Sequence, residues 1–511
     1  MISRLLSSRF TFLFIFILYA IGLWHYSVPL TGDQKVYLSI ALEMKERASF
    51  LIPWLDGTVN FLKPPFQYWM TLFGWKVFGF NLFGALVPSL LALLASAGWV
   101  KRILPSSSFL PALLFAGTLG TLTYGTTAQM EIWIVLFYLA AWGFWLEERV
   151  FSSFLVVGVM SIIKGPLYPV LWVMSVILHS ILRKEMKKLL TPRFLGSLAF
   201  GMTMGLAWYV LAWREHPGEI MAVFFQKENL GKMQTSQGSI AGLWSEFTFS
   251  LFPILGLVIL GFFDTSFLKR FSEHRAFFIS YGLIPALFFT FFPYRVNTYL
   301  YLLTPLAVWM IPERFEVPIL AKRIVASVSG IIALFLIFLL FRLEGGGWIG
   351  LELGIPLILV LALWSYGYFR LDPKWVGVTS ILLVNLVRMG AVEIGEWDLK
   401  GLREAMEKDS KPISYLIEHE DIWHEFGLVS TAVGQDLGRL TTPEEANRFL
   451  ASGGTLILSE DSTFPLTDLH CTDWTRIKRR IKFPIKALLL QGLSIEDPEL
   501  HRVLHLCSRG G

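Results

Sequence analysis

The chain has 511 residues, 54% of them apolar and only 16% charged, with a mean hydropathy of +0.57. A soluble domain carries about a quarter charged residues, so a string of soluble domains is excluded. Aromatics at 15% and only 2 Cys exclude a disordered chain and a disulfide scaffold, and the net charge of +5 is small. What remains is a mostly α, polytopic membrane protein with no nucleic-acid partner.

Long apolar runs fill the chain to Val392, and from Glu393 onward the sequence is mixed and charged. Residues 1–392 are therefore expected to form a transmembrane domain and 393–511 a small soluble α/β domain. The first run, Phe10–Leu23, follows Arg4 and Arg9 and lacks a small-residue cleavage site. It reads as a retained helix with its N-terminus in the cytoplasm. Further spans are expected at Leu82–Val100, Phe109–Thr126, Ile132–Leu146, Phe151–Ile163, Pro166–Leu182, Phe194–Trp213 and Leu243–Phe263. Others follow at Ala276–Phe292, Tyr299–Ile311, Ile324–Phe341, Trp348–Phe369 and Trp375–Val392. That makes about thirteen transmembrane helices.

The loops carry the orientation. Lys101/Arg102, Arg149, the Arg183–Arg193 cluster, Lys269/Arg270/Arg275, Arg314/Lys322/Arg323 and Arg370/Lys374 all fall on one side of the proposed path. The positive-inside rule makes that side cytoplasmic. An odd number of helices then puts residues 393–511 outside, in the periplasm of a Gram-negative cell. Two outer segments are long, Tyr26–Gly79 and Arg214–Gly242, and long loops on a rigid bundle are where function concentrates.

In the first outer segment, Val36, Tyr37, Ile40, Ala41 and Met44 have helical spacing, which predicts a short helix lying on the membrane with Asp33 near its N-terminus. On this stretch alone, N-capping is the plainer role for Asp33. Further on, Lys63 precedes two prolines, which force an extended backbone in an aromatic-rich turn. A lysine held there suits a phosphate, or it snorkels at the interface. Tyr68 and Trp69 read as ordinary interfacial aromatics.

These residues resemble a family. Gly32-Asp-Gln followed by Tyr37, and Leu62-Lys-Pro-Pro-Phe-Gln-Tyr-Trp69, are similar to paired motifs of the GT-C glycosyltransferases. These are polytopic enzymes related to the aminoarabinose transferase of lipid A and to protein O-mannosyltransferases. The resemblance continues through Gln129-Met-Glu131, Lys164-Gly-Pro166, Ala207-Trp-Tyr209, Gln226–Lys232 and Tyr294–Pro305. The sequence departs from the family pattern at Gln34 and Leu62, where acids are usual. It also departs at Glu131 for Asp, at Lys232 for Arg, and at Arg295 for Lys.

The resemblance implies transfer of a sugar from a polyprenyl phosphate to an envelope acceptor, a lipid or a protein, on the outer face of a bacterial inner membrane. Such a displacement needs a carboxylate facing the acceptor and cations on the departing phosphate. It also needs water kept out of the site. Asp33 is the candidate catalytic carboxylate and Glu131 the second acid. An acid that opens a helix also serves the helix dipole. Lys63, Lys232 and Arg295 are candidate phosphate or acceptor-anion ligands, and Tyr37 and Tyr299 candidate hydrogen-bonding groups. Lys164 either binds substrate or pins a turn by bonding helix-end carbonyls.

No cofactor is required and no metal motif is present, although a divalent ion beside Asp33 and Glu131 is compatible with the residues. Gly345–Gly347 reads as a turn. The protein is expected to act as a monomer. A transporter of lipid-linked sugars is the rival reading, but transporters place charges near the bilayer midplane and show repeats.

In the tail, Thr442-Pro-Glu-Glu445 predicts a capping box opening a helix to Ala451. Phe426–Thr431 and Thr455–Leu458 read as strands. Cys471 and Cys507 either pair outside the cytoplasm or stay as buried thiols. The basic stretch Arg476–Lys486 either faces anionic headgroups or, the plainer reading, is a solvated strand face.

Overall fold

The computed structural model describes residues 10–25, 32–103, 108–296, 298–344, 351–393, 412–416, 430–431, 437–440, 442–459, 462–465, 469–478 and 501–509. The turn at Gly345–Gly347 and most of Phe426–Thr431 lie outside these residues, and Ser430 and Thr431 are helical rather than extended.

The chain is a helical bundle followed by a small sheet. Among the described residues, four helices are long and apolar enough to cross a bilayer, or six if each of two bent pairs counts as one span. Shorter apolar helices fill in between them, including Glu131–Leu146 (α7), Val150–Lys164 (α8) and Leu167–Leu182 (α9). Two predicted spans are broken. Phe109–Thr126 splits into Leu110–Ala116 and Leu119–Gly125, because Thr118 turns extended and caps the second half by accepting from the Thr121 N–H. Leu243–Phe263 splits into Ile240–Ser250 and Leu255–Phe262, bent by 104° at a break containing Pro253.

The segment between the first two predicted spans is more structured than its composition suggests. Gly32–Glu46 (α2) is helical, as its spacing predicts, but it does not lie on a surface. Every residue from Tyr37 to Met44 is buried, which a helix floating at the interface could not achieve. Buried Glu43 accepts from the Arg47 guanidinium at 2.9 Å and from the Gly57 N–H at 2.8 Å. That ties a two-residue hairpin, Trp54–Leu55 with Thr58–Val59, onto α2. Phe66–Phe78 (α3) is a further helix inside what reads as loop, and Gly74 packs directly against Gly84 of the next helix, where a Cβ would clash.

The helix ends fall into two groups. Arg102 reaches Glu147, Lys188 reaches Glu148, Ser108 bonds Glu313, and Thr265 bonds Glu316. These contacts gather the basic loops on one end of the bundle. Asp33, Lys63, Glu131, Lys164 and Tyr299 gather at the other.

After the last bundle helix, the described residues of the tail form a five-stranded mixed sheet in the spatial order Gly438–Leu440, Ile413–Leu416, Thr455–Ser459, His501–Arg509, Leu469–Lys478. The strands are Ile413–Leu416 (β3), Gly438–Leu440 (β4), Thr455–Ser459 (β5), Leu469–Lys478 (β6) and His501–Arg509 (β7). The capping box at Thr442 and Glu445 is formed and starts the helix Pro443–Ala451. Leu456 and Leu458 alternate onto the helix side with Leu450 and Phe464, whereas Ile457 and Tyr415 join the same buried cluster as the bundle. Cys471 and Cys507 sit directly opposite each other on β6 and β7 and form a disulfide. Of the basic stretch, Arg476–Lys478 ends β6 and the rest lies outside the described residues.

Candidate active site

Two segments far apart in sequence are brought together by a small apolar core of their own. Ile52 and Phe61 from the first pack with Trp208, Tyr209, Ala212, Ile220 and Phe224 from the second. The Trp208 indole donates to the Leu51 carbonyl at 2.9 Å, and the Tyr209 hydroxyl donates to the Ser161 carbonyl at 2.7 Å. The Ala-Trp-Tyr motif is thus a clamp between loops. Lys63 follows Phe61, and Glu228 follows Phe224, so the clamp delivers one to the other.

Ile220–Gly231 is a π-helix, a rare form that recurs at functional sites. It carries Glu228, whose Oε2 accepts hydrogen bonds from both Lys63 and Lys232, the latter at 2.6 Å. Lys63 is no snorkelling lysine. Its side chain is only 20% exposed, and Glu228 and Lys232 are similarly enclosed at 14% and 22%. Burial by itself would raise the Glu228 carboxyl, but the two ammonium groups outweigh it and hold it below the usual carboxylate range. Two cations converging on one oxygen form a site for an anion, here filled by the protein's own carboxylate.

A second ion pair lies deeper. Glu131, the first residue of α7, meets Lys164, the last residue of α8, at 2.6 Å. Lys164 therefore pairs with the second acid rather than capping helix-end carbonyls. The turn after it favours glycine, because Gly165 has φ +94°, in the left-handed region that side chains with a Cβ rarely adopt. The Lys164 ammonium also lies 5.7 Å from the Tyr299 ring, and Tyr299 is within electrostatic reach of Glu228.

Between the pairs stands Tyr37, buried one turn after Asp33. Burial, and then the neighbouring charges of Asp33, Glu131 and Glu228, push its hydroxyl well above the usual phenol range. Its ring meets Tyr68 edge-on at 5.8 Å. Tyr68 is fully buried, and its hydroxyl has no hydrogen-bond partner among the described residues. It is a lining residue of the site, not the interfacial aromatic its sequence neighbourhood suggests. Asp33 lies in the first turn of α2 with its side chain exposed at the rim.

The structure thus brings together Asp33, Tyr37, Lys63, Glu131, Lys164, Lys232 and Tyr299. Arg295 differs. Its guanidinium donates to the carbonyls of Thr290 at 2.9 Å and Gly238 at 3.3 Å, so it braces the chain around Gly238. Glu228 and Tyr68 were not among the residues singled out from the sequence. The Glu228–Lys232 spacing of four on a helical stretch was the available signal for the first.

Among the described residues, no group of three or more His, Cys, Asp or Glu side chains is placed to hold a metal ion. A divalent ion beside Asp33 and Glu131 would have those two carboxylates alone, and Glu131 is already engaged by Lys164.

No family model matches the chain. It is similar to the undecaprenyl phosphate-alpha-4-amino-4-deoxy-L-arabinose arabinosyl transferase of Yersinia enterocolitica, 26% identical over 351 residues, 62% of this chain and 62% of that protein. A protein of the same description from Pseudomonas fluorescens is 27% identical over 323 residues, 58% of this chain and 54% of the relative. The matches span less than two thirds of those relatives' length. Among solved structures, apo ArnT from Cupriavidus metallidurans superposes with a TM-score of 0.68 at 13% identity, over 97% of both chains. The same protein bound to undecaprenyl phosphate gives 0.67. The chain has the fold of ArnT, a polytopic membrane protein, and the GT-C resemblance read from the motifs is borne out.

Proposed function

We propose that this protein is a glycosyltransferase that moves a sugar from an undecaprenyl phosphate donor to an envelope acceptor, lipid A or a related glycolipid. The observation that carries this is the convergence of Lys63 and Lys232 on one anionic oxygen, beside a buried carboxylate–lysine pair and a rim carboxylate. The fold and the descriptions of the relatives supply the donor class.

The reaction breaks the bond between the sugar C1 and the phosphate oxygen, and the polyprenyl phosphate leaves with the electron pair. A new bond joins C1 to an acceptor oxygen, whose proton passes to Asp33. Lys63 and Lys232 receive the phosphate as its charge grows. Glu228 holds that place in the resting protein, and the donor phosphate displaces it. Glu131, fixed by Lys164, orients the acceptor. Tyr37 and Tyr299 position the sugar, and the surrounding aromatic wall excludes water.

The site faces the periplasm of a bacterial inner membrane on this reading. About thirteen helices span the bilayer, the basic loops are cytoplasmic, and the tail sheet stands outside. The protein acts as a monomer and needs no cofactor.

The test is transfer by purified protein from a synthetic undecaprenyl phosphate sugar to lipid A. Lys63→Ala is expected to raise the donor KM more than it lowers kcat. Movement of the donor across liposomes with no product formed would overturn the reading in favour of a transporter. Mass spectrometry of envelope lipids from a deletion strain then names the sugar and the acceptor together.

A further inference from the structure

At the end of the bundle opposite this site, two cavities are lined by basic residues, and they differ in one respect. The first, about 600 Å³, holds Arg183, Lys188, Arg193 and Arg275 together with Glu148, Glu185 and Glu273. Its cations are largely spent within the protein. Lys188 lies 2.9 Å from Glu185 and 3.1 Å from Glu148, Arg183 reaches Glu185 at 3.5 Å, and Arg193 donates to the Glu148 carbonyl.

The second cavity, about 930 Å³, sits at the foot of three helices, Ile319–Glu344 (α16), Leu351–Arg370 (α17) and Pro373–Glu393 (α18). Arg314, Lys322, Arg323, Arg370 and Lys374 line it, and none has an ion-pair partner among the described residues. The two acids in its wall are otherwise occupied. Asp372 caps α18 by accepting from the Lys374 and Trp375 N–H groups, and Glu313 accepts from the Ser108 hydroxyl.

The wall is not purely polar. Ile319 and Phe369 also line the cavity and are 68% and 73% exposed. Above them, α16 is the least buried of the four long apolar helices among the described residues. A cationic pocket thus opens onto a tall apolar face. Lone phosphate would use the first feature and not the second.

We propose that this cavity binds the headgroup of an anionic glycerophospholipid from the leaflet opposite the carboxylate–lysine site, with the acyl chains lying along α16 and Phe369. Basic pockets between membrane helices recognise anionic headgroups by this combination of charge and apolar wall. The positively charged loops at Arg314–Arg323 and Arg370–Lys374 then do more than set topology, because the fold converges them on one lipid phosphate.

The experiment uses the full chain in nanodiscs of phosphatidylglycerol or of phosphatidylcholine, followed by native mass spectrometry and thermal melting. Wild-type protein is expected to retain phosphatidylglycerol at least tenfold more strongly and to melt at higher temperature in it. Lys322→Gln/Arg323→Gln/Arg370→Gln is expected to lose both effects, while Arg183→Gln/Lys188→Gln/Arg193→Gln in the self-neutralised cavity keeps them. Equal retention of the two lipids by wild-type protein overturns the proposal and does not require any variant to fold. So does unchanged retention in the first triple variant, or a melting shift given in full by inorganic phosphate alone.

Discussion

At the site end of the bundle, Lys63, Lys164 and Lys232 have side chains only 20%, 13% and 22% exposed, and each meets a carboxylate. At the opposite end, Arg102, Arg183 and Lys188 also meet carboxylates, yet 55%, 56% and 50% of their side chains stay in solvent. The same residue types do different work because the surrounding medium differs. An exposed pair gains little, since water already solvates both partners. An enclosed pair has given up that water and depends on its partner, so it is sensitive to anything that replaces the partner. A phosphate arriving at Lys63 and Lys232 is such a replacement.

The sharpest way to break this comparison is at Asp33, the one exposed acid of the site. Asp33→Asn is expected to slow sugar transfer by at least about 100-fold with donor binding unchanged, since a positioned proton acceptor contributes on that scale. Single-turnover kinetics read it, and a wild-type rate would remove Asp33 from the mechanism. Next comes the enclosed pair. Glu131→Gln leaves Lys164 without its counter-charge and should cost about 3 kcal/mol of stability, whereas Glu131→Gln/Lys164→Met should recover most of it. Denaturation in detergent separates the two, and equal losses in both variants would show that the pair is not what stabilises the helix ends.

The third test is acid. The Glu228 carboxyl is held below the usual carboxylate range, so its stabilisation is complete above the unperturbed value of about 4.3. It is lost as the pH falls through the lower folded value. Melting temperature should therefore drop on acidification more steeply in wild-type protein than in Glu228→Gln, and identical slopes would contradict it. The smallest effect belongs to the opposite end. Arg102→Ala, which removes the nearer of the two cations on Glu147 and leaves Arg149, should change stability by less than about 1 kcal/mol and by still less in high salt.

Much of this arrangement was legible in the chain. The apolar runs announced a polytopic bundle, and the spacing from Val36 to Met44 announced α2. The capping box announced the helix at Pro443. Hydropathy cannot see a helix that stops and restarts inside an apolar run, which is why the breaks at Gly117 and Pro253 escaped it. Nor can it see that one long connecting segment is buried by another. Trp208 and Phe224 cover Phe61 only because the fold stacks their loops, and that stacking turns Glu228 from an ordinary loop acid into the shared partner of two lysines. Lys63, Glu131 and Lys164 are legible through motifs, but the pairing of Glu131 with Lys164 and the partner of Lys63, Glu228, are not, because a pair separated by 33 or by 165 residues leaves no local pattern.

The cross-strand bridge between Cys471 and Cys507 has a further use. A disulfide persists only where thiols are oxidised and is reduced in the bacterial cytosol. The tail therefore carries a built-in compass. In intact cells, the alkylation state of these two cysteines reports which compartment received the sheet, and with it the direction in which the last helix crosses. A tail recovered fully reduced from unperturbed cells would invert the whole path and place the lysine–carboxylate cluster on the cytosolic side. No fused reporter is needed for that reading.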